Sequence, residues 1–115
     1  MAILAFAMPV LPGKEDTHRQ YMQSVSTDGP EHDADVAARR AQGFTSEVVS
    51  HQATPNGTMS IVVLESDDPA GAMAQIVTAD TPFAQQFRAH VQDVHGVDLA
   101  NDPPPEVELI SDMSF

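Results

Sequence analysis

Five histidines and a single tyrosine are the side chains of this sequence best suited to chemistry. An imidazole titrates near neutral pH, so it can take up a proton, give one back or ligate a metal. His18, Tyr21, Met22 and Val25 follow the i, i+3, i+4, i+7 spacing of one helical face. That spacing puts His18 and Tyr21 on the apolar stripe of a first helix, where they can point into a cavity and handle a hydroxyl or carbonyl group. The competing reading of His18 is a residue at the core edge, hydrogen-bonded to backbone. His90 falls three residues after Phe87 and four before Val94, beside the buried stripe of a last helix. His18, Tyr21 and His90 are therefore the catalytic candidates. His51, in the strand segment Ser50-His51-Gln52, lines a pocket, enters an interface or faces water according to the face it takes. With Phe6, Phe87 and Arg88 it forms a candidate ligand-binding set for a small apolar or aromatic molecule. His95 directly precedes Gly96 at the predicted helix end, where the helix dipole favours an imidazolium, so its presence has a sufficient structural reason.

Other chemistries find less support. The chain has no cysteine, which removes disulfides, thiolate nucleophiles and thiolate metal sites. Glu31, His32, Asp33 and Asp35, or His90 with His95, are the sets a metal would use, and neither has the i, i+4 spacing of an HExxH pair of histidines. No metal and no cofactor is expected. Gly13-Lys14 lacks the rest of a phosphate-binding loop, and no serine sits in a nucleophile elbow. Arg39 and Arg40 suit an anionic ligand, but pairing with Asp33 and Asp35, or with the helix C-terminus before Gly43, accounts for them. Seventeen acids against five bases give a formal net charge of −12, a surface that repels phosphate backbones and anionic membranes. Five Phe, one Tyr and no Trp leave little with which to stack bases. Neither a nucleic-acid nor a membrane partner is expected. The opening MAILAFAMPVLPG is apolar without a basic leader region, so it reads as a strand, and the cytoplasm is the expected compartment.

The elements that must position these residues follow from changes of period. Ala2 to Val10 reads as a strand, with Leu4, Phe6 and Met8 on one face and Ile3, Ala5 and Ala7 on the other. The helix carrying His18 is interrupted at Asp28-Gly29-Pro30 and resumes from Glu31 to Gln42. Phe44 to Ala53 and Thr58 to Glu65 are predicted as an antiparallel hairpin about Thr54-Pro55-Asn56-Gly57. Asp68-Pro69 and Thr81-Pro82 each start a helix. Asn101 to Pro105 reads as an extended linker, and Val107 to Phe115 as a closing strand. The expectation is a single α+β domain over 1–115, a ferredoxin-like β-α-β-β-α-β sandwich with split helices and a four-stranded antiparallel sheet. Because the first and third strands are apolar on both faces, a homodimer through the sheet faces is expected.

The segments LPGK, ATPNGTMSIVVLESDDPAGAM and DTPFAQQFRAHVQDVHGVDL make the chain similar to a small bacterial family without an assigned activity. That family resembles the dimeric α+β barrel superfamily, which includes antibiotic-biosynthesis monooxygenases and EthD-like proteins. The resemblance implies a sheet-to-sheet dimer with a cavity between helices and sheet in each subunit. It implies no particular reaction, since such folds host cofactor-free oxygenases, isomerases, haem enzymes and binding proteins. Two functions follow: a small-molecule-binding or interaction module, and a cofactor-independent monooxygenase- or isomerase-like enzyme. Convergence of two or more of the candidate polar side chains in one pocket favours the enzyme, and their dispersal the module.

Overall fold

A computed structural model describes residues 2–102 and 106–115 of the chain. The described elements run β1 (Ala2–Pro9), α1 (Glu15–Ser26), α2 (Pro30–Ala41), β2 (Phe44–Thr54), β3 (Gly57–Ser66), α3 (Pro69–Thr78) and α4 (Pro82–His95). Local chemistry sets most of these boundaries. Asp68 caps α3 by accepting the Gly71 amide at 3.1 Å, and Thr81 caps α4 by accepting the Ala84 amide at 3.1 Å, each just ahead of a proline in the first turn. Gly96 closes α4 in the left-handed region at φ 70°, which a side chain would disfavour. A two-residue Pro55-Asn56 connection joins β2 to β3, and Gly57 completes it at φ 120°.

The sheet has three antiparallel strands in the order β1-β3-β2. The expected β-α-β-β-α-β order with a fourth strand is therefore corrected to β-α-α-β-β-α-α, and with it goes the dimeric-barrel assignment that rested on that order. Val107 to Phe115 carry no strand. Their large apolar side chains stay in water, Leu109 at 58% and Ile110 at 86% exposure. Alternation of Val107 and Leu109 with glutamates was the strand signal, but two apolar side chains without a surface to bury them against do not hold a strand in place. Within the predicted linker, Asn101 and Asp102 form a turn and a bend, and Pro103 to Pro105 lie outside the described residues.

All four helices contribute to a layer on one face of the sheet. Leu4, Phe6 and Met8 of β1 and Val62 and Leu64 of β3 pack there against Ala72 and Ile76 of α3, Val91 of α4 and the following Leu99. One irregularity matters for the site. Phe44 pairs with Ser66 and Ser46 with Glu65, so Thr45 is the extra residue of a β-bulge. An uninterrupted strand that buries Phe44 would turn Ser46, Val48 and Ser50 to the helices. The bulge moves the phase by one residue and places Glu47, Val49 and His51 there instead, opposite Leu64, Val62 and Ser60. The other face carries Ile3, Ala5, Ala7, Val48, Ile61 and Val63, with Ile3 at 37% and Val48 at 54% exposure. No helix among the described residues is long and apolar enough to cross a membrane.

Candidate active site

Between the sheet and the helices lies a cavity of about 60 Å³. Phe6 and Met8 from β1, Val62 and Leu64 from β3, and Met73 and Ile76 from α3 supply its apolar walls. The polar groups come from elements distant in sequence. His18 and Tyr21 reach it from α1, His90 and His95 from α4, and Ser60 from β3. At the other end Asp35 and Arg39 enter from α2 and Glu47 from β2.

His18, only 4% exposed, is the hub of the histidine group. Its Nδ1 lies 2.6 Å from Nε2 of His51, a hydrogen bond between residues 33 apart in sequence. The His95 ring meets it edge-on at a centroid distance of 4.9 Å, and the His90 ring is tilted at 5.5 Å. Tyr21 stacks on His90 at 3.8 Å. Burial, reinforced by the neighbouring His95, His51 and His90, lowers the His18 pKa to about 4. Burial, with His95 adding to it against an opposing Asp93, lowers His90 to about 4 as well. Both are therefore neutral at pH 7, each with an unprotonated ring nitrogen. His95 donates from Nδ1 to the Pro9 carbonyl at 2.9 Å, which leaves Nε2 as its lone-pair nitrogen. Burial lowers its pKa too, so the imidazolium expected at the helix end gives way to a neutral, buried ring tied to β1. Tyr21 is pushed up to about 12 by burial and by Asp35, so its phenol keeps its proton.

Among the described residues, three buried side-chain atoms of the cavity lining make no hydrogen bond: Nε2 of His90, Oγ of the fully buried Ser60, and Nε of Arg39, which is held by ion pairs instead. Pairing a buried polar group is worth about 1–3 kcal/mol, so the hydroxyl of Ser60 and the ring nitrogen of His90 favour a polar group placed against them.

The opposite end is ionic. Arg39 is buried, with Nε 3.4 Å from Glu47 and 3.9 Å from Asp35, Nη1 donating to Gln42 at 2.9 Å, and its guanidinium carbon 4.3 Å from the centre of the Phe87 ring. Burial raises the pKa values of both carboxyls against the opposing pull of Arg39. Asp35, Arg39, Glu47, Met22, Val25 and Val49 also line an open groove of about 590 Å³ beside α2 and β2, so they form the wall between groove and cavity.

The structure thus brings His18, Tyr21 and His90 together, with Phe6 and Phe87 in the same lining. His51 joins through His18 but lies in an outer groove of about 270 Å³ with Arg19, Gln23 and Ser50, outside the cavity lining. Arg88 is engaged elsewhere: Nη1 donates to the carbonyls of Ile76 and Ala79, at 3.0 and 2.7 Å, and so caps the end of α3. His32 ties α2 to α1 by donating to the Val25 carbonyl at 2.8 Å. Among the described residues no three histidine or carboxylate side chains are grouped to hold a metal ion. Ser60, Glu47 and the inward role of His95 were missed from sequence. Ser60 alone left a trace, as the polar residue in the buried alternation Ser60, Val62, Leu64. Neither a family model nor a curated protein matches the chain.

Proposed function

We propose that the protein is an enzyme that moves a proton on a small, mainly apolar substrate bearing a carbonyl or hydroxyl group. One observation carries this reading: His18, Tyr21, His90 and His95 converge with an unpartnered Ser60 hydroxyl on a single, mostly apolar cavity. Neutral imidazoles in a dry site are general bases. In the step proposed, an imidazole nitrogen takes the substrate proton and the electron pair of the broken bond stays on the substrate as an oxyanion. The protonated Tyr21 phenol and Ser60 hydroxyl are the donors at hand for that oxygen. The same imidazole then returns a proton to the product.

Magnitudes restrict the substrate. A base with a pKa of about 4 removes a proton from a phenol-like acid of pKa about 10 at an unfavourable ~8 kcal/mol. That lies within the barrier of an ordinary enzyme, about 16 kcal/mol for ten turnovers per second. An unactivated C–H does not. Phenolic hydroxyls and C–H groups flanked by two carbonyls are accordingly the substrate class. Small phenols and β-dicarbonyl compounds should shift the ring resonances of His18 and His90 in histidine-labelled protein, and the protein should accelerate deuterium uptake by the β-dicarbonyls above the buffer rate. Binding without acceleration would reduce the site to a ligand-binding module. An unresponsive pair of rings across the whole panel would remove the proposal.

A second proposal concerns assembly. We infer that two copies associate through the outer sheet face, because Ile3, Ala5, Ala7, Val48, Ile61 and Val63 form an apolar patch, with Glu65 beside Ile3 at its end, on a chain of net charge −12. A second copy presents the same apolar patch, so a two-fold contact covers both while most of the acidic surface stays apart.

A further inference from the structure

His18 stands in the wall between the interior and the outside. It lines the cavity and also the outer groove that holds His51. Towards the cavity its neighbours are the His90 and His95 rings. Towards solvent its Nδ1 is bonded to Nε2 of half-buried His51 at 2.6 Å, a short contact between two ring nitrogens. Tautomer choice allows the proton to lie on either one. Arg19 on the same groove is paired with Asp16 at 2.7 Å, and the cavity carboxyls Asp35 and Glu47 line the adjoining groove beside α2. Among the described residues, none of those lining the outer groove with His18 and His51 is an acid.

We infer that His51 is a proton relay that connects buried His18 to solvent, so that protons exchanged with a bound substrate pass through a two-imidazole chain. The inference rests on the proton-transfer reading of the cavity. The balance closes as follows. His18 accepts the substrate proton at Nε2 and passes its Nδ1 proton to Nε2 of His51. His51 becomes an imidazolium and loses its own Nδ1 proton to water. In the return direction His51 gains a proton from water at Nδ1 and passes its Nε2 proton to Nδ1 of His18. His18 then releases its Nε2 proton to the product, and both rings regain their first tautomers. His51 touches no substrate in this scheme. It acts through His18.

The test needs no substrate, so it succeeds or fails apart from the proposed reaction. Solvent exchange of the His18 ring N–H is measured by NMR on histidine-labelled protein, in the wild type and in His51→Gln, His51→Phe and His51→Ala. A glutamine preserves the hydrogen bond but carries no proton across, and a phenylalanine preserves the cover. The relay therefore predicts exchange slowed at least ten-fold in both, with the His51→Ala rate restored by added imidazole. If His51 only covers His18, the glutamine variant exchanges like the wild type and the alanine variant faster, with no effect of imidazole. Either of those results overturns the relay.

Discussion

Acidification should cost this fold stability through His18, by an amount the geometry sets. In the unfolded chain the imidazole titrates near its ordinary 6.5, and in the fold near 4. Between those values the unfolded state binds the extra proton, so stability complete above pH 6.5 is lost as the pH falls towards 4 and changes no further below it. At pH 4.5 the loss relative to pH 7 amounts to about 2.5 kcal/mol for this one residue, most of a 1.36 kcal/mol-per-decade gap. Asp35 and Glu47 act in the opposite sense, because their raised folded-state pKa values favour protonation in the fold and add stability on acidification. His90 and His95, whose pKa values burial also lowers, add to the loss, so the wild-type curve alone mixes all of these groups. The comparison of wild type with His18→Gln cancels most of what the other groups contribute and leaves the His18 part. With no tryptophan in the chain, urea unfolding followed by circular dichroism at a series of pH values is the suitable assay. The wild type should lose about 2.5 kcal/mol more than the variant between pH 7 and 4.5. Parallel curves for the two proteins would mean that His18 titrates normally and that its burial does not lower its pKa.

Other expectations follow from particular contacts. Arg39→Met strands Asp35 and Glu47 without their buried counter-charge, and should cost about 3 kcal/mol at pH 7, partly regained at pH 5 as the carboxyls neutralise; urea titrations at the two pH values check it. Light scattering at micromolar concentration should return twice the chain mass for the wild type and the single-chain mass for Val48→Asp, which buries a charge in the proposed sheet-face contact. Removing 106–115 should change the midpoint of thermal unfolding little, a difference of about 0.5 kcal/mol or less, because every side chain in that segment is exposed. Gly96→Ala should destabilise by about 1 kcal/mol through strain at its positive φ, read from the same denaturation curves.

Much of the local structure was legible in the sequence because its causes act within a few residues. Asp68-Pro69 and Thr81-Pro82 start helices by satisfying nearby amides, and Gly96 ends one by a backbone conformation that needs no distant partner. The stripe holding His18 and Tyr21, and the one holding Phe87 and Val91, are statements about 3.6-residue spacing, and both stripes face the core as that spacing requires. What could not be read locally failed for one shared reason. A strand exists by virtue of the edge or surface it meets, so the alternation around Val107 and Leu109 carried no information on whether a partner was there. The bulge at Thr45 left no mark either, because Thr45 and Ser46 are equally acceptable on either side of the phase change that brings Glu47 and His51 inward.

The candidate site divides along the same line. Sequence alone determined which residue types were available for proton chemistry, excluded thiol chemistry, and set His18 and Tyr21 on one helical face. Only the tertiary structure decided that His18 meets His51 across 33 residues, that His95 bonds Pro9 across 86, and that Arg88 caps a helix while Arg39 lies buried between two carboxyls. Side-chain periodicity says which face a residue occupies. Which faces meet, and which polar groups then lose their water together, is settled by the packing of α1, β2 and α4 around one cavity, and it is that shared loss of water that holds His18 and His90 uncharged well below neutral pH, at the cost of making them weaker bases than a free imidazole.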